Sequence, residues 1–189
     1  LEIIGDGAFC GCERLPDMLL PESVMHIGIV AFAGVTSGQL YLGPNIEYIG
    51  GGAFSNCTGL TEVTVPDGIT RIEGDTFGDC SNLTRIVLPE SVTYIGSGAF
   101  ESCSKLININ IPQGVDYIGA GAFNRCESIV SLDIPEGITE IFESTFAFCK
   151  KLVDFEIPST VKAIGQDAFF MCEGMTGITI PEGVKTIGR

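Results

Sequence analysis

One phenylalanine per repeat governs what this chain can fold into. Phe9, Phe32, Phe54, Phe77, Phe100, Phe123, Phe146 and Phe169 follow one another at 23 residues, with one step of 22 between Phe32 and Phe54. The phrase around each is restated with it, most fully as Ile118-Gly119-Ala120-Gly121-Ala122-Phe123-Asn124-Arg125-Cys126. Self-similarity at such a period marks a solenoid, in which no unit can bury its own apolar face and each relies on its neighbours. The 189 residues therefore read as one elongated array rather than one or two globular domains. Residues 1–189 hold eight units and the start of a ninth in the same phase, without a capping repeat, and the array is expected to be a slice of a longer protein.

Val115 to Ile138 carries every slot of the unit. Val115-Asp116-Tyr117-Ile118 reads as a short β-branched rung, and Gly119 and Gly121 supply turn freedom. Phe123 and Cys126 share a face only if this stretch is one helical or 3₁₀ turn. Ile129-Val130-Ser131-Leu132-Asp133-Ile134 ends in strict alternation and stops at Pro135-Glu136-Gly137, the pattern of a strand closed by a turn. Stacked in parallel at about 4.8 Å per rung, eight coils make a rod roughly 40 Å long. The fold expected is a curved solenoid with the alternating strands on its concave side and the short strand and Phe turn on its convex side.

The Phe file is the spine of the expected core, each ring contributing roughly 1.5 to 3 kcal/mol when buried. Around it lie an Ile file, Ile27, Ile49, Ile72, Ile95, Ile118, Ile141, Ile164 and Ile187, and a mixed file, Leu20, Leu42, Val65, Leu88, Ile111, Ile134, Ile157 and Ile180. The second unit departs from the pattern. Setting Gly43 in the proline slot brings Leu40 and Leu42 into register, so the missing residue falls within Ala33–Gln39, where a tightened loop is expected. Two other units lose the usual Gly and Ala, at Glu73 with Thr76 and at Phe142 with Thr145, and Phe142 is expected at the surface.

The pattern Leu-x-x-Ile-x-Ile-Pro-x-x-Val-x-x-Ile-Gly-x-x-Ala-Phe-x-x-Cys, seen from Leu106 to Cys126, closely resembles the BspA-like leucine-rich repeat, also called the Treponema-type repeat. The resemblance covers the whole chain. It implies a curved leucine-rich repeat array from cell-surface or secreted proteins of host-associated bacteria and some protists, used for adhesion and for binding matrix proteins or other cells. It brings no catalytic residues with it. The resulting expectation is a non-catalytic protein- or glycan-binding module, monomeric and without cofactor. The alternatives are a passive spacer that presents another domain, or an accessory domain of an enzyme whose catalytic part lies elsewhere.

Other chemistry finds little support in the residues. Cys12, Cys57, Cys80, Cys103, Cys126, Cys149 and Cys172 share one slot, spread along a ladder with His26 as the only histidine, so they do not converge as zinc ligands do. Parallel Cβ vectors about 5 Å apart miss the ~3.8 Å that a disulfide needs. Buried thiols acting as small apolar groups with weak hydrogen bonds to the turn backbone are expected instead. Cys10 falls just after Phe9, in an outward slot. Gly50-Gly51-Gly52 lacks the lysine of a phosphate loop. The acidic file after the proline slot, Glu22, Asp67, Glu90, Glu136 and Glu182, is interrupted too often to read first as a calcium site rather than as solvated turns.

Twenty-four acidic against ten basic residues leave a net charge of −14, which repels phosphate backbones and disfavours nucleic acid. No apolar run is long enough to cross a membrane, and this segment carries no secretion signal. A partner would meet the outward residues between the alternating core positions. Those singled out are Leu19, Tyr41, Glu62, Arg85, Val87, Asn108, Asn110, Asp133, Asp154 and Glu156. Leu19, Tyr41 and Val87 make the first half of this surface partly apolar, while Asp133, Asp154 and Glu156 make the second acidic. The expected ligand contacts Tyr41 and places a basic group at the acidic end.

Overall fold

The computed structural model describes residues 1–15 and 17–188. Strands of two or three residues alternate along the chain: β1 (Ile3–Ile4), β2 (Met18–Leu19), β3 (His26–Ile27), β4 (Leu40–Tyr41), β5 (Tyr48–Ile49), β6 (Glu62–Thr64), β7 (Arg71–Ile72), β8 (Arg85–Val87), β9 (Tyr94–Ile95), β10 (Asn108–Ile109), β11 (Tyr117–Ile118), β12 (Glu140–Ile141), β13 (Ala163–Ile164) and β14 (Thr186–Ile187). They fall into two files. β2, β4, β6, β8 and β10 build the face that the sequence assigns to a partner, and the others build a second face beside the Phe turns. Every pairing is parallel, as stacking of successive coils requires. Thr36 Oγ1 still donates to the Glu13 carbonyl, 23 residues back, whereas Met18 pairs with Leu40, 22 residues on. The missing residue of the second unit thus lies between Thr36 and Leu40, where buried Ser37 occupies the tightened loop.

The Phe turn is neither a helix nor a 3₁₀ turn. In the coil of Phe54, the Ala53, Ser55 and Cys57 N–H groups bond back to Gly50, Gly52 and Phe54, while the Gly52, Phe54 and Asn56 N–H groups between them reach Gly74, Thr76 and Gly78 of the next coil. Alternate amides thus serve the coil itself and its neighbour, whereas a 3₁₀ helix would spend every amide internally. Positive φ prevents helical continuation, at Gly52 (64°) and again at Asn56 (55°). A positive φ at the third residue of a four-residue turn is the type II geometry, and here such turns flank one of ordinary φ. The two left-handed slots recur in every unit; Gly fills the first at Gly7, Gly52, Gly98 and Gly121. Val30 holds that slot at φ 49°, a strained position for a β-branched side chain.

The phenyl rings stack in one file from Phe9 to Phe169, with centroids 5.2 to 5.9 Å apart and planes within 17° of parallel. This step exceeds the ~4.8 Å of parallel strands, so the stack fans open on the Phe side and the β2–β10 face is concave. Phe54, Phe77, Phe100 and Phe123 are fully buried. Ile27, Ile49, Ile72, Ile95, Ile118, Ile141 and Ile164 flank them as expected. Exposure rises in the terminal coils, where one face has no neighbouring coil in this chain: Ile180, Ile187 and Phe9 are exposed there.

Each thiol from Cys57 to Cys172 caps the coil before it. Cys80 Sγ donates to the Phe54 carbonyl at 3.1 Å, Cys103 to Phe77 and Cys126 to Phe100 at the same distance. The Phe54 carbonyl also accepts the Cys57 N–H of its own turn, so one oxygen joins two coils. Burial pushes the Cys57 thiol up to about 11 and Cys103 to about 12, in each case partly offset by backbone hydrogen bonding. Cys80, Cys126 and Cys149 move in the same direction for the same reason. Cys12 shares the slot but belongs to the first coil and is exposed, as is Cys10, so the expected burial of Cys12 does not hold.

The second strand file is divided where the sequence loses its glycine. The Gly28, Gly50, Gly96, Gly119, Gly165 and Gly188 N–H groups donate to the Ile carbonyl of the preceding coil, and no equivalent bond leaves Glu73 or Phe142. A Cβ at Gly96 or Gly119 would lie 2.5 Å from backbone nitrogen of the preceding coil. Glu73 and Phe142 carry that Cβ, and the ladder breaks before each into the three-stranded sheets β1-β3-β5, β7-β9-β11 and β12-β13-β14. The partner change is Ala to Thr. Buried Thr76 Oγ1 donates to the Glu73 carbonyl and Thr145 Oγ1 to Phe142, both at 2.9 Å. Phe142 is half-buried against Tyr117, with centroids 5.2 Å apart, rather than standing free at the surface.

Phe100→Ala is expected to cost about 3–5 kcal/mol in urea unfolding, whereas Val30→Gly should raise stability by about 1 kcal/mol by relieving the left-handed strain; a destabilised Val30→Gly protein would contradict that strain. A thiol reagent at pH 8 should modify Cys10 and Cys12 at once and leave Cys57 through Cys149 untouched until the chain unfolds. Because folding raises these thiol pKa values, their contribution is complete below about pH 9 and is lost as the pH rises towards 11 and 12. The urea midpoint should therefore fall steadily above pH 9, and a flat profile would oppose the assignment.

Candidate recognition face

The concave face is built by alternation. In Glu62-Val63-Thr64, Val63 turns into the core while Glu62 and Thr64 face solvent, and Arg85-Ile86-Val87 repeats the arrangement one coil on. Register places Glu62, Arg85 and Asn108 in one transverse file and Thr64 with Val87 in the next. Leu19 pairs with Tyr41, and Ser131 with Asp154 through an isolated bridge. All ten residues singled out from the sequence lie on this face. Val87 is half-buried, and the other nine are exposed.

Charged groups on this face are left free rather than paired. Glu62 and Arg85 are cross-strand partners, yet the ion pairs among the described residues are Arg71–Glu73 and Lys150–Glu127, both elsewhere. Asp133, Asp154 and Glu156 accept no side-chain hydrogen bond among the described residues. Glu136 lies beyond them in the acidic turn file, where the Ser159 hydroxyl donates to it at 2.9 Å and holds its carboxyl below the usual range. No group of three or more His, Cys, Asp or Glu side chains able to hold a metal ion occurs among the described residues.

Two shallow grooves open on the face. Tyr41, Leu42, Pro44, Glu62, Thr64 and Asp67 line the first, between β4 and β6, where no ladder joins the coils. Asp154, Glu156, Ile157, Gly177, Thr179 and Pro181 line the second. Tyr41 and the Asp154–Glu156 pair, which the sequence sets at opposite ends of the surface, therefore sit in separate hollows.

Two exposed features escaped the sequence reading. The first is a stripe on the margin of the same face, where Ile107, Val130 and Val153 stack in successive coils at 47%, 44% and 40% exposure. Thr61, Thr84 and Thr176 occupy that slot in other coils. The second is an aromatic file on the other strand face. Arg71 Cζ lies 3.6 Å from the Tyr94 ring centroid, and Tyr94 stacks on Tyr117 at 4.6 Å. His26 and Tyr48 precede them in the same file. Both files were legible at the 23-residue period, had the slots beside the core been aligned as the core was.

No helix among the described residues is long and apolar enough to cross a membrane. Among curated proteins none matches the chain. Among solved structures it is similar to a leucine-rich repeat protein from Bacteroides ovatus, at 23% identity and TM-score 0.69, covering all of this chain and 66% of that one. It is also similar to a leucine-rich cell surface protein from Faecalibacterium prausnitzii, at 30% identity and TM-score 0.67, covering 94% of this chain and 57% of that one. The leucine-rich repeat protein of T. pallidum aligns over all of this chain and 67% of its own, at 28% identity and TM-score 0.61. The chain thus spans between 57% and 67% of the length of these proteins. The model of the BspA type leucine-rich repeat region matches residues 1–106 and 70–189, in six copies. With the repeat, the parallel coils and that match in agreement, the chain belongs to the BspA type leucine-rich repeat family.

Proposed function

We propose that the concave face is a non-catalytic recognition surface for a protein or glycan ligand, carried by a protein displayed at the cell surface or secreted, in an adhesive role. One observation carries the reading. The inward slots repeat the same few residue types from coil to coil, while the outward slots between them change at every coil, are exposed except for half-buried Val87, and make no ion pair among the described residues. A scaffold held by its repeats can vary such a surface without touching its fold. Surface display is supported by the 30% identical neighbour from Faecalibacterium prausnitzii, described as a leucine-rich cell surface protein. The chain acts as a monomer in this reading, with Tyr41 supplying an apolar anchor and Asp154 and Glu156 receiving a basic group. The remaining residues singled out on this face, Leu19, Glu62, Arg85, Val87, Asn108, Asn110 and Asp133, shape the contact.

The test is a binding screen of the chain against immobilised matrix proteins and a glycan array. It should be followed by the triple variant Tyr41→Ala, Asp154→Ala and Glu156→Ala on each ligand found. Affinity is expected to fall at least tenfold with an unchanged melting temperature. Ligands bound equally well by the folded variant would place recognition on another face.

A further inference from the structure

The second half of the concave face combines an uncovered apolar stripe with uncompensated carboxylates, and their relative placement specifies a ligand more narrowly than either does alone. Ile107, Val130 and Val153 form one file along the solenoid axis, each at least 40% exposed. Asp133 and Glu156 form a parallel file on the far side of Ser131 and Asp154, because Leu132 and Phe155 between them turn inward. No lysine or arginine occupies either file in these coils. Beyond the stripe, Lys105 donates to Asn82 Oδ1 at 2.7 Å and Lys150 to Glu127 Oε1 at 2.9 Å, while exposed Lys151, two residues before Val153, stands on the side of the stripe away from Asp133 and Glu156.

We infer that this half of the face takes an extended polypeptide segment in which aliphatic and cationic residues alternate, laid along the solenoid axis over Ser131 and Asp154. An extended chain sends successive side chains to opposite sides. A segment running between the two files therefore delivers one set onto Ile107, Val130 and Val153 and the other to Asp133, Asp154 and Glu156. Alternation matches the surface, whereas a uniformly cationic segment would leave the stripe in water and a uniformly apolar one would leave the carboxylates unpaired. A chain of net charge −14 attracts cations over its whole surface, so the apolar stripe is what distinguishes this site from that general attraction. The inference rests on the reading of the concave face as the recognition surface and adds the chemistry of the ligand.

The probe is a fluorescein-labelled (Lys-Val)₄-Lys peptide, with (Lys-Ser)₄-Lys and (Glu-Val)₄-Glu as controls, followed by fluorescence anisotropy against the chain at 50 and 300 mM salt. The Lys-Val peptide is expected to bind at least tenfold more tightly than either control and to weaken with salt. Asp133→Asn with Asp154→Asn and Glu156→Gln should lower that affinity at least tenfold. Ile107→Thr with Val130→Thr and Val153→Thr should do the same, and threonine is native to this file, so the fold is retained. Equal binding of the Lys-Val and Lys-Ser peptides, or an unchanged affinity in the threonine variant, would overturn the inference as mere charge attraction. If ligands from the matrix and glycan screen still depend on Tyr41, Asp154 and Glu156 in that case, the recognition face itself stands; if none does, both fall.

Discussion

The structure depends on the bond that each Phe amide makes to the next coil. Phe32, Phe54, Phe77, Phe100, Phe123 and Phe146 all donate to the residue one slot before the next Phe, at 2.8 to 2.9 Å. Neither strand file is continuous. The concave file lacks a ladder between β4 and β6 and again beyond β10, where only the isolated Ser131–Asp154 bridge follows, and the other breaks before Glu73 and again before Phe142. At these interruptions the Phe turn bond persists: Phe32 to Ala53, Phe100 to Ala122 and Phe146 to Ala168 where the concave ladder is absent, and Phe54 to Thr76 and Phe123 to Thr145 where the other file breaks. The rings and thiols follow from that spacing. Stacking the turns aligns the phenyl groups and brings each cysteine sulfur onto the preceding Phe carbonyl.

This division of labour leaves the concave face free to vary. Its strands are two or three residues long, so few of its backbone bonds are essential, and its outward side chains make no ion pair among the described residues. A surface that contributes little to the core can change residue by residue without cost to the fold. The grooves at Tyr41 and at Asp154 open on this less constrained side.

The repeat made the architecture legible because burial is periodic. Phe, Ile, Leu and Cys recur at the same slots, and the glycine losses at Glu73 and Phe142, which the sequence shows only as departures from the repeat, coincide with the two breaks of the second strand file. Backbone handedness was not legible. Asn56, Asp79, Ser102, Arg125, Phe148 and Met171 all adopt positive φ in one slot, and no common side-chain chemistry announces it. The inter-coil bonds impose the conformation on whatever residue is present, which is why the sequence, from Phe123 and Cys126 sharing a face, points to one helical or 3₁₀ turn instead. Phe142 was misjudged for a related reason: its cover comes from Tyr117 of the preceding coil, a contact between slots rather than within one. The ten candidate residues of the concave face lie outward as alternation predicts, Val87 half-buried and the rest exposed. The stripe at Ile107, Val130 and Val153 was overlooked because an apolar residue in a strand reads first as core.

Native-state hydrogen exchange resolved to single amides tests most directly whether the Phe turn holds the coils together. The Phe54 and Phe123 amides cross the junctions where the adjacent strand ladder is broken, whereas Phe77 donates to Ala99 across an unbroken one. If the turn ladder carries the fold, all three exchange only through global unfolding and show equal protection. Early exchange of Phe54 and Phe123 while Phe77 stays protected would show that the coils separate at those junctions and would contradict the account.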